Sequence, residues 1–141
     1  MKQLTSIINQ IPEFQKLLAA IDSGGCPAAV SGLSPIHRAH FAAAIRRSQE
    51  CPVVLVCADE REAERFCTDL AAFTGEQALL LTAREFVFHE SAAISRQWEH
   101  KRLNVLEAML DGRATLVVAT VEALLQRTIP KDLLTGVRFT L

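Results

Sequence analysis

The sequence carries almost no net charge: fifteen Lys plus Arg stand against sixteen Asp plus Glu, a formal −1. Composition therefore supplies no bulk attraction to nucleic acid or to an anionic membrane, and any such contact is local or belongs to another part of a larger protein. Proline and glycine are also scarce, five and six in 141 residues, which excludes a disordered tail, a collagen-like rod and a Pro-rich linker. No apolar run approaches the roughly 20 residues that span a bilayer, and the N-terminus lacks a basic segment followed by an apolar secretory core. The expectation is a soluble, cytoplasmic protein with no membrane partner. Cysteine is equally sparse. Cys26, Cys51, Cys57 and Cys67 form no C-x-x-C pair and no dense secreted spacing, so all four read as small buried apolar residues.

Half of the residues are hydrophobic, enough for one core, and at roughly 150 residues per domain there is room for one full-sized unit. The segment to Ile21 places Ile7, Ile8, Ile11, Phe14, Leu17, Leu18 and Ile21 at helical spacing, divided by Pro12. Ala28-Ala29-Val30-Ser31 reads as a short strand covered on both faces, broken by Gly32-Leu33-Ser34-Pro35. A helix follows over 36–48. Val53-Val54-Leu55-Val56-Cys57 is continuous and β-branched, which predicts a central parallel strand. Asp59 to Phe73 is a helix with acidic residues in its first turn and Gly75 as its stop. Ala78 to Leu81 is a third strand, and 82–95, with Phe86, Val87, Phe88 and His89, is an irregular connection. Ser95 to Leu110 is a helix anchored by Trp98 and Leu106, Leu116 to Ala119 is a fourth buried strand, and Thr120 caps a short helix through Gln126. This alternation predicts an α/β fold: three layers, a mainly parallel sheet with helices on both faces. Val137 to Leu141 alternates like the start of a half-buried strand with no partner hairpin, and is read as the opening of a further domain in a longer protein.

The order strand, Gly32-Leu33-Ser34-Pro35-Ile36-His37-Arg38-Ala39, helix has the spacing of a phosphate-binding loop, G-x-x-x-x-G-K-[ST]. Its chemistry is missing. His37 stands where a second glycine lets backbone N–H groups approach phosphate, and Ala39 stands where a hydroxyl binds magnesium; Arg38 keeps only the charge. Gly32, His37, Arg38 and Ala39 are thus positions of a degenerate phosphate loop, without the parts for metal-assisted nucleotide hydrolysis.

Other constellations are weaker. Asp59-Glu60 after the Val53 strand superficially resembles a magnesium-binding acidic pair, yet acidic residues at a helix start follow from capping and the helix dipole. Cys57, at the end of that strand, has the place of a nucleophile on a strand-to-helix turn but no recognisable base. His37 and His40 lie three apart, and no further ligands have metal-site spacing. Arg96, His100 and Lys101, with Arg102 and Trp98, form a local basic surface that could face phosphate or an acidic partner, interrupted by Glu99.

Four stretches in this order resemble a known family: the degenerate loop Ser31 to Ala39; the strand-helix unit Val53 to Phe73; Phe86 to Leu103, with Ser95-Arg96-Gln97-Trp98-Glu99-His100-Lys101-Arg102-Leu103; and Leu116 to Pro130. Together they look like the N-terminal region of the bacterial transcription-repair coupling factors, itself similar to the first domain of the excision-repair helicase. In that helicase the loop is a working nucleotide site, so His37, Arg38 and Ala39 favour the coupling factors. The resemblance implies a degenerate P-loop, helicase-like (RecA-like) domain over 1–130, with a leading amphipathic helix, and the truncated start of the following inserted domain at 131–141. It implies a non-catalytic scaffold with no cofactor of its own. The parent would be an ATP- and magnesium-dependent DNA translocase that displaces stalled RNA polymerase and recruits nucleotide excision repair. The implied partners are the remaining domains of that parent and, through it, RNA polymerase, double-stranded DNA and the damage-recognition component of the excision nuclease. The alternative from another class is an independent small α/β enzyme or ligand-binding domain with its site at the strand ends near Gly32 and Cys57.

Overall fold

A computed structural model describes residues 7–49, 51–83 and 97–136. Its described elements are, in order, α1 (Pro12–Asp22), α2 (Pro35–Gln49), β1 (Val53–Cys57), α3 (Glu60–Thr74), β2 (Leu79–Leu81), α4 (Gln97–Leu110), β3 (Leu116–Thr120), α5 (Val121–Leu125) and α6 (Lys131–Gly136). The three strands form one parallel sheet in the order β1-β3-β2. β3 pairs Leu116 to Thr120 with Val53 to Cys57 on one side, and Val117 to Ala119 with Leu79 to Leu81 on the other.

Strand alternation assigns the two faces. Leu116 and Val118 point into a core with Ala39, Ala42 and Ala43 of α2 and Ala63, Phe66 and Leu70 of α3. Val117 and Ala119 point the opposite way, toward Val105 and Ala108 of α4 and Ala123 of α5. Neighbouring residues of a strand face opposite sides, so the apolar run Leu116 to Ala119 suits β3, where these four and Thr120 are all buried. The path from β1 to β2 carries α3 over one face, and the return to β3 carries α4 over the other. Reversing direction across the sheet moves the helix to the other face when crossover hand is kept.

The helix boundaries follow from local chemistry. Asp59 caps α3 by accepting from the Glu62 N–H at 2.8 Å, and Gly75 ends that helix at φ 77°, a left-handed conformation suited to glycine. Thr120 caps α5 by accepting from the Ala123 N–H at 3.1 Å. Pro12 divides the leading segment as expected and starts α1, with Ile11 as its N-cap, because the first helical position needs no N–H. α1 then lies outside α2, with Phe14 fully buried and edge-on to Phe41 at 5.2 Å.

Three expectations need correction. Ala28 to Ser31 forms no strand; the stretch is exposed, Val30 at 47%, and has no pairing partner among the described residues. β1 is not the central strand: β3 is, while β1 lies at the edge with Val54 and Val56 about half exposed. Of the four cysteines only Cys57 is buried; Cys67 is half-buried, and Cys26 and Cys51 are exposed. Of the irregular connection 82–95 all but 82 and 83, and the whole alternating segment 137–141, lie outside the described residues, and α6 precedes the latter. No described helix is long and apolar enough to cross a membrane.

Candidate functional site

In parallel α/β sheets, ligands gather at the carboxyl ends of strands, where successive connections leave toward opposite faces. Here that point lies between β1 and β3. Cys57 and Thr120 are paired there, with α3 leaving to one face and α5 to the other. Both polar groups beside it are engaged in folding, since the Asp59 carboxylate and the Thr120 hydroxyl cap their own helices. The Glu62 carboxylate adds to this arrangement: it accepts from the Ala58 N–H at 3.2 Å and stands 3.6 Å from the Arg38 guanidinium.

The four positions that the sequence spacing reads as a degenerate phosphate loop do not converge. Gly32 is exposed and left-handed at φ 80°, with open space where a Cβ would stand. Exposed His37 shares a hydrogen bond of 3.0 Å between its Nδ1 and the Ser34 hydroxyl. Arg38 turns to Glu62. Ala39 is fully buried among α2, α3 and the sheet, so a hydroxyl there would enter the core rather than meet a metal ion. A carboxylate paired to the one cation of the loop also opposes phosphate, whose charge has the same sign as Glu62. The residues present do not fit a magnesium nucleotide.

Cys57 does not fit the nucleophile of the alternative reading. Burial, and then the charges of Glu62, Cys67 and Asp59, push its thiol up to about 11. It is a protonated core group at neutral pH, whereas a nucleophilic cysteine needs its thiolate. Nor do the histidines gather a metal: His40 stacks flat on Phe73 at 4.5 Å, and among the described residues no group of three or more His, Cys, Asp or Glu could hold one.

The basic surface on α4 is partly dismantled. His100 and Lys101 are exposed, Arg96 lies outside the described residues, and Arg102 belongs to the interior. Arg102 as a whole is 7% exposed, and its guanidinium donates to the Thr82 and Ala123 carbonyls, each at 2.9 Å. It thereby ties α4 to the ends of β2 and α5, and burial draws its pKa below the ordinary value. The clamp was legible only as a periodicity: Trp98, Arg102 and Leu106 recur every four residues and so share one helical face. That face borders a groove of about 690 Å³, closed on its other side by 125–129. Glu62, by contrast, is legible locally only as a capping partner three residues after Asp59; its pairing with Arg38 gives no local signal, because Arg38 is on another helix.

No family model and no solved structure matches this chain. The transcription-repair-coupling factor of Bacillus subtilis (strain 168) is 25% identical to it over 131 residues, which is 92% of this chain and 11% of that protein. The chain is thus distantly similar to a region of that protein and spans about a tenth of its length.

Proposed function

We propose that this chain is a non-catalytic scaffold domain of a transcription-repair coupling factor, built as a degenerate P-loop, RecA-like unit over 1–130, with 131–141 opening the domain inserted after it. The dispersal of the loop positions carries this reading: His37 bonds to Ser34, Arg38 pairs with Glu62 and Ala39 is buried in the core. A phosphate loop works because backbone amides, a lysine and a hydroxyl converge on one point. The distant similarity over 92% of the chain supports the choice of family.

In this reading the domain takes no cofactor and catalyses nothing. ATP and magnesium serve motor domains elsewhere in the parent, which translocates on double-stranded DNA, displaces stalled RNA polymerase and brings the damage-recognition component of the excision nuclease through the adjoining domain. The sheet and its helices supply a rigid base for that domain. Calorimetric titration with magnesium ATP tests the reading, and no saturable heat is expected up to millimolar nucleotide, on the order of the weakest useful nucleotide affinities. Saturable, magnesium-dependent binding at micromolar concentrations would overturn it.

A further inference from the structure

The sheet is unfinished at the outer edge of β1. β3 lies on one side of β1, and among the described residues no strand lies on the other. The Val53 N–H donates to the Thr115 carbonyl, next to β3, at 3.0 Å. Backbone direction alternates along a strand, so Val53, Leu55 and Cys57 turn their amides and carbonyls toward β3, whereas Val54 and Val56 turn theirs outward. The side chains of the same two valines are 47% and 52% exposed, on the face away from α2 and α3. An uncharged edge of this kind is a template for a further strand.

Crossover hand places a second unpaired stretch beyond the same edge. α2 and α3 pack on one face of the sheet. α3 carries the chain from β1 across β3 to β2. With the hand kept, α2 moves the chain in the same direction, so a strand that feeds α2 belongs on the side of β1 away from β3. The segment that feeds α2 is Ala28 to Ser31, which has the composition of a strand, is exposed and pairs with no strand among the described residues. It does not take the β1 edge itself. One element missing between Ala28 to Ser31 and β1 accounts for both unpaired stretches.

We propose that a strand from elsewhere in the longer parent chain fills this gap, hydrogen-bonded to Val54 and Val56 on one side and flanked by Ala28 to Ser31 on the other. The strand is apolar, because α2 passes over one of its faces on the way to β1. A five-residue edge is far smaller than the roughly 1,200 Å² buried in stable associations, so a free peptide or a second copy would be held weakly. Covalent connection supplies the effective concentration that so short a pairing needs. The Bacillus subtilis relative has about nine-tenths of its length outside the matched region, ample chain to provide the strand. The proposal rests on the part of the scaffold reading that makes this chain a piece of a longer parent, and not on the loss of nucleotide chemistry.

Hydrogen–deuterium exchange resolved to single amides, run on the 141-residue chain and on the full-length parent, tests it. Leu55 and Cys57, bonded to β3, should be slow in both and serve as controls. Val54 and Val56 should exchange rapidly in the 141-residue chain and at least about a hundredfold more slowly in the parent, with Ala29 and Val30 slowed alongside them. Val56→Pro removes an outward donor and no bond to β3. It should lower the thermal midpoint of the 141-residue chain only slightly, since edge strands tolerate proline, and in the parent it should return Val54 to rapid exchange. Equal exchange of Val54 and Val56 in the two chains overturns the proposal, as does a gene product that ends at Leu141. Protection that appears in the 141-residue chain as its concentration rises would make the occupant a second copy, and overturns it too. Saturable binding of magnesium ATP would overturn the scaffold reading alone and leave the exchange result standing.

Discussion

Arg38 and Glu62 face each other across 3.6 Å, from the first turn of α2 to the first turn of α3. The pair occupies the place where the loop spacing would put a phosphate-binding cation, and it turns that cation toward a carboxylate. Its side chains are 55% and 28% exposed, so solvent screening keeps its contribution small. Arg38→Ala should lower stability by less than about 1 kcal/mol in urea unfolding. Glu62→Ala should cost more, because it also removes the acceptor of the Ala58 N–H.

Rebuilding the consensus should fail for a reason visible in the core. Ala39 is fully buried between α2 and α3. Ala39→Ser places a hydroxyl there and should destabilise by about 1–3 kcal/mol, the range for burying a poorly satisfied polar group. The combined His37→Gly, Arg38→Lys and Ala39→Ser chain should still give no saturable heat with magnesium ATP. Micromolar binding by that variant would show that the backbone was already arranged for phosphate.

The elements best read from sequence are those whose boundaries are written locally. Asp59 and Gly75 bracket α3, Thr120 opens α5, and the apolar Leu116 to Ala119 run is buried on both faces. What failed was non-local. Val53 to Cys57 has the same composition as a central strand, yet sheet order places it at an edge, which depends on β3 arriving more than fifty residues later. Ala28 to Ser31 has the apolar content of a strand but no partner to pair with among the described residues. At His37, Arg38 and Ala39 the sequence shows only which groups a phosphate loop would lack, whereas the Arg38 to Glu62 pairing and the Arg102 clamp require the assembled fold.

Arg102 should behave as an internal tie rather than a surface charge. Arg102→Met removes donors from two carbonyls, one of them in a fully buried contact, and should cost about 2–4 kcal/mol as unsatisfied buried acceptors are left behind. Arg102→Lys should recover little, since an ammonium lacks the planar fork that spans both carbonyls. Urea midpoints for the two variants provide the check, and a lysine variant as stable as the parent would mean that only charge is needed.

Leu70 and Leu106 separate core from margin. Leu70 has no exposed surface, and Leu70→Ala should cost about 2–5 kcal/mol. Helical spacing predicts a similar anchoring role for Leu106, but it is only half-buried against the second core cluster and borders the groove. Leu106→Ala should therefore cost no more than about 2 kcal/mol. Equal losses for the two would place Leu106 in the core.

The scaffold reading also predicts where repair recruitment lies. A pull-down with this chain should not retain the damage-recognition component of the excision nuclease, whereas a longer chain continuing past Leu141 through the next domain should. Equal retention by both would move the docking surface into these residues, with exposed His100 and Lys101 on α4 the first positions to test by charge reversal.

Alkaline pH should loosen the sheet through Cys57. Its thiol is raised from an ordinary 9.0 to about 11, first by burial and then by the neighbouring acidic groups. Between those values the unfolded chain has released this proton while the folded one retains it, so folding stability falls as pH rises. The contribution is fully present below about pH 9 and is lost progressively toward pH 11, for a total of about 2–3 kcal/mol if the whole shift is realised. Cys67 on α3 is raised in the same direction by burial and Glu64, and adds to the slope. Urea midpoints at pH 8.0 and 10.5, for the parent and for Cys57→Ala, isolate the effect. The alanine variant starts lower because a buried sulfur is gone, but it should lose less on going to the higher pH. An identical loss in both would mean that the Cys57 thiol ionises in the folded protein as easily as in water, and that the end of β1 is open to solvent.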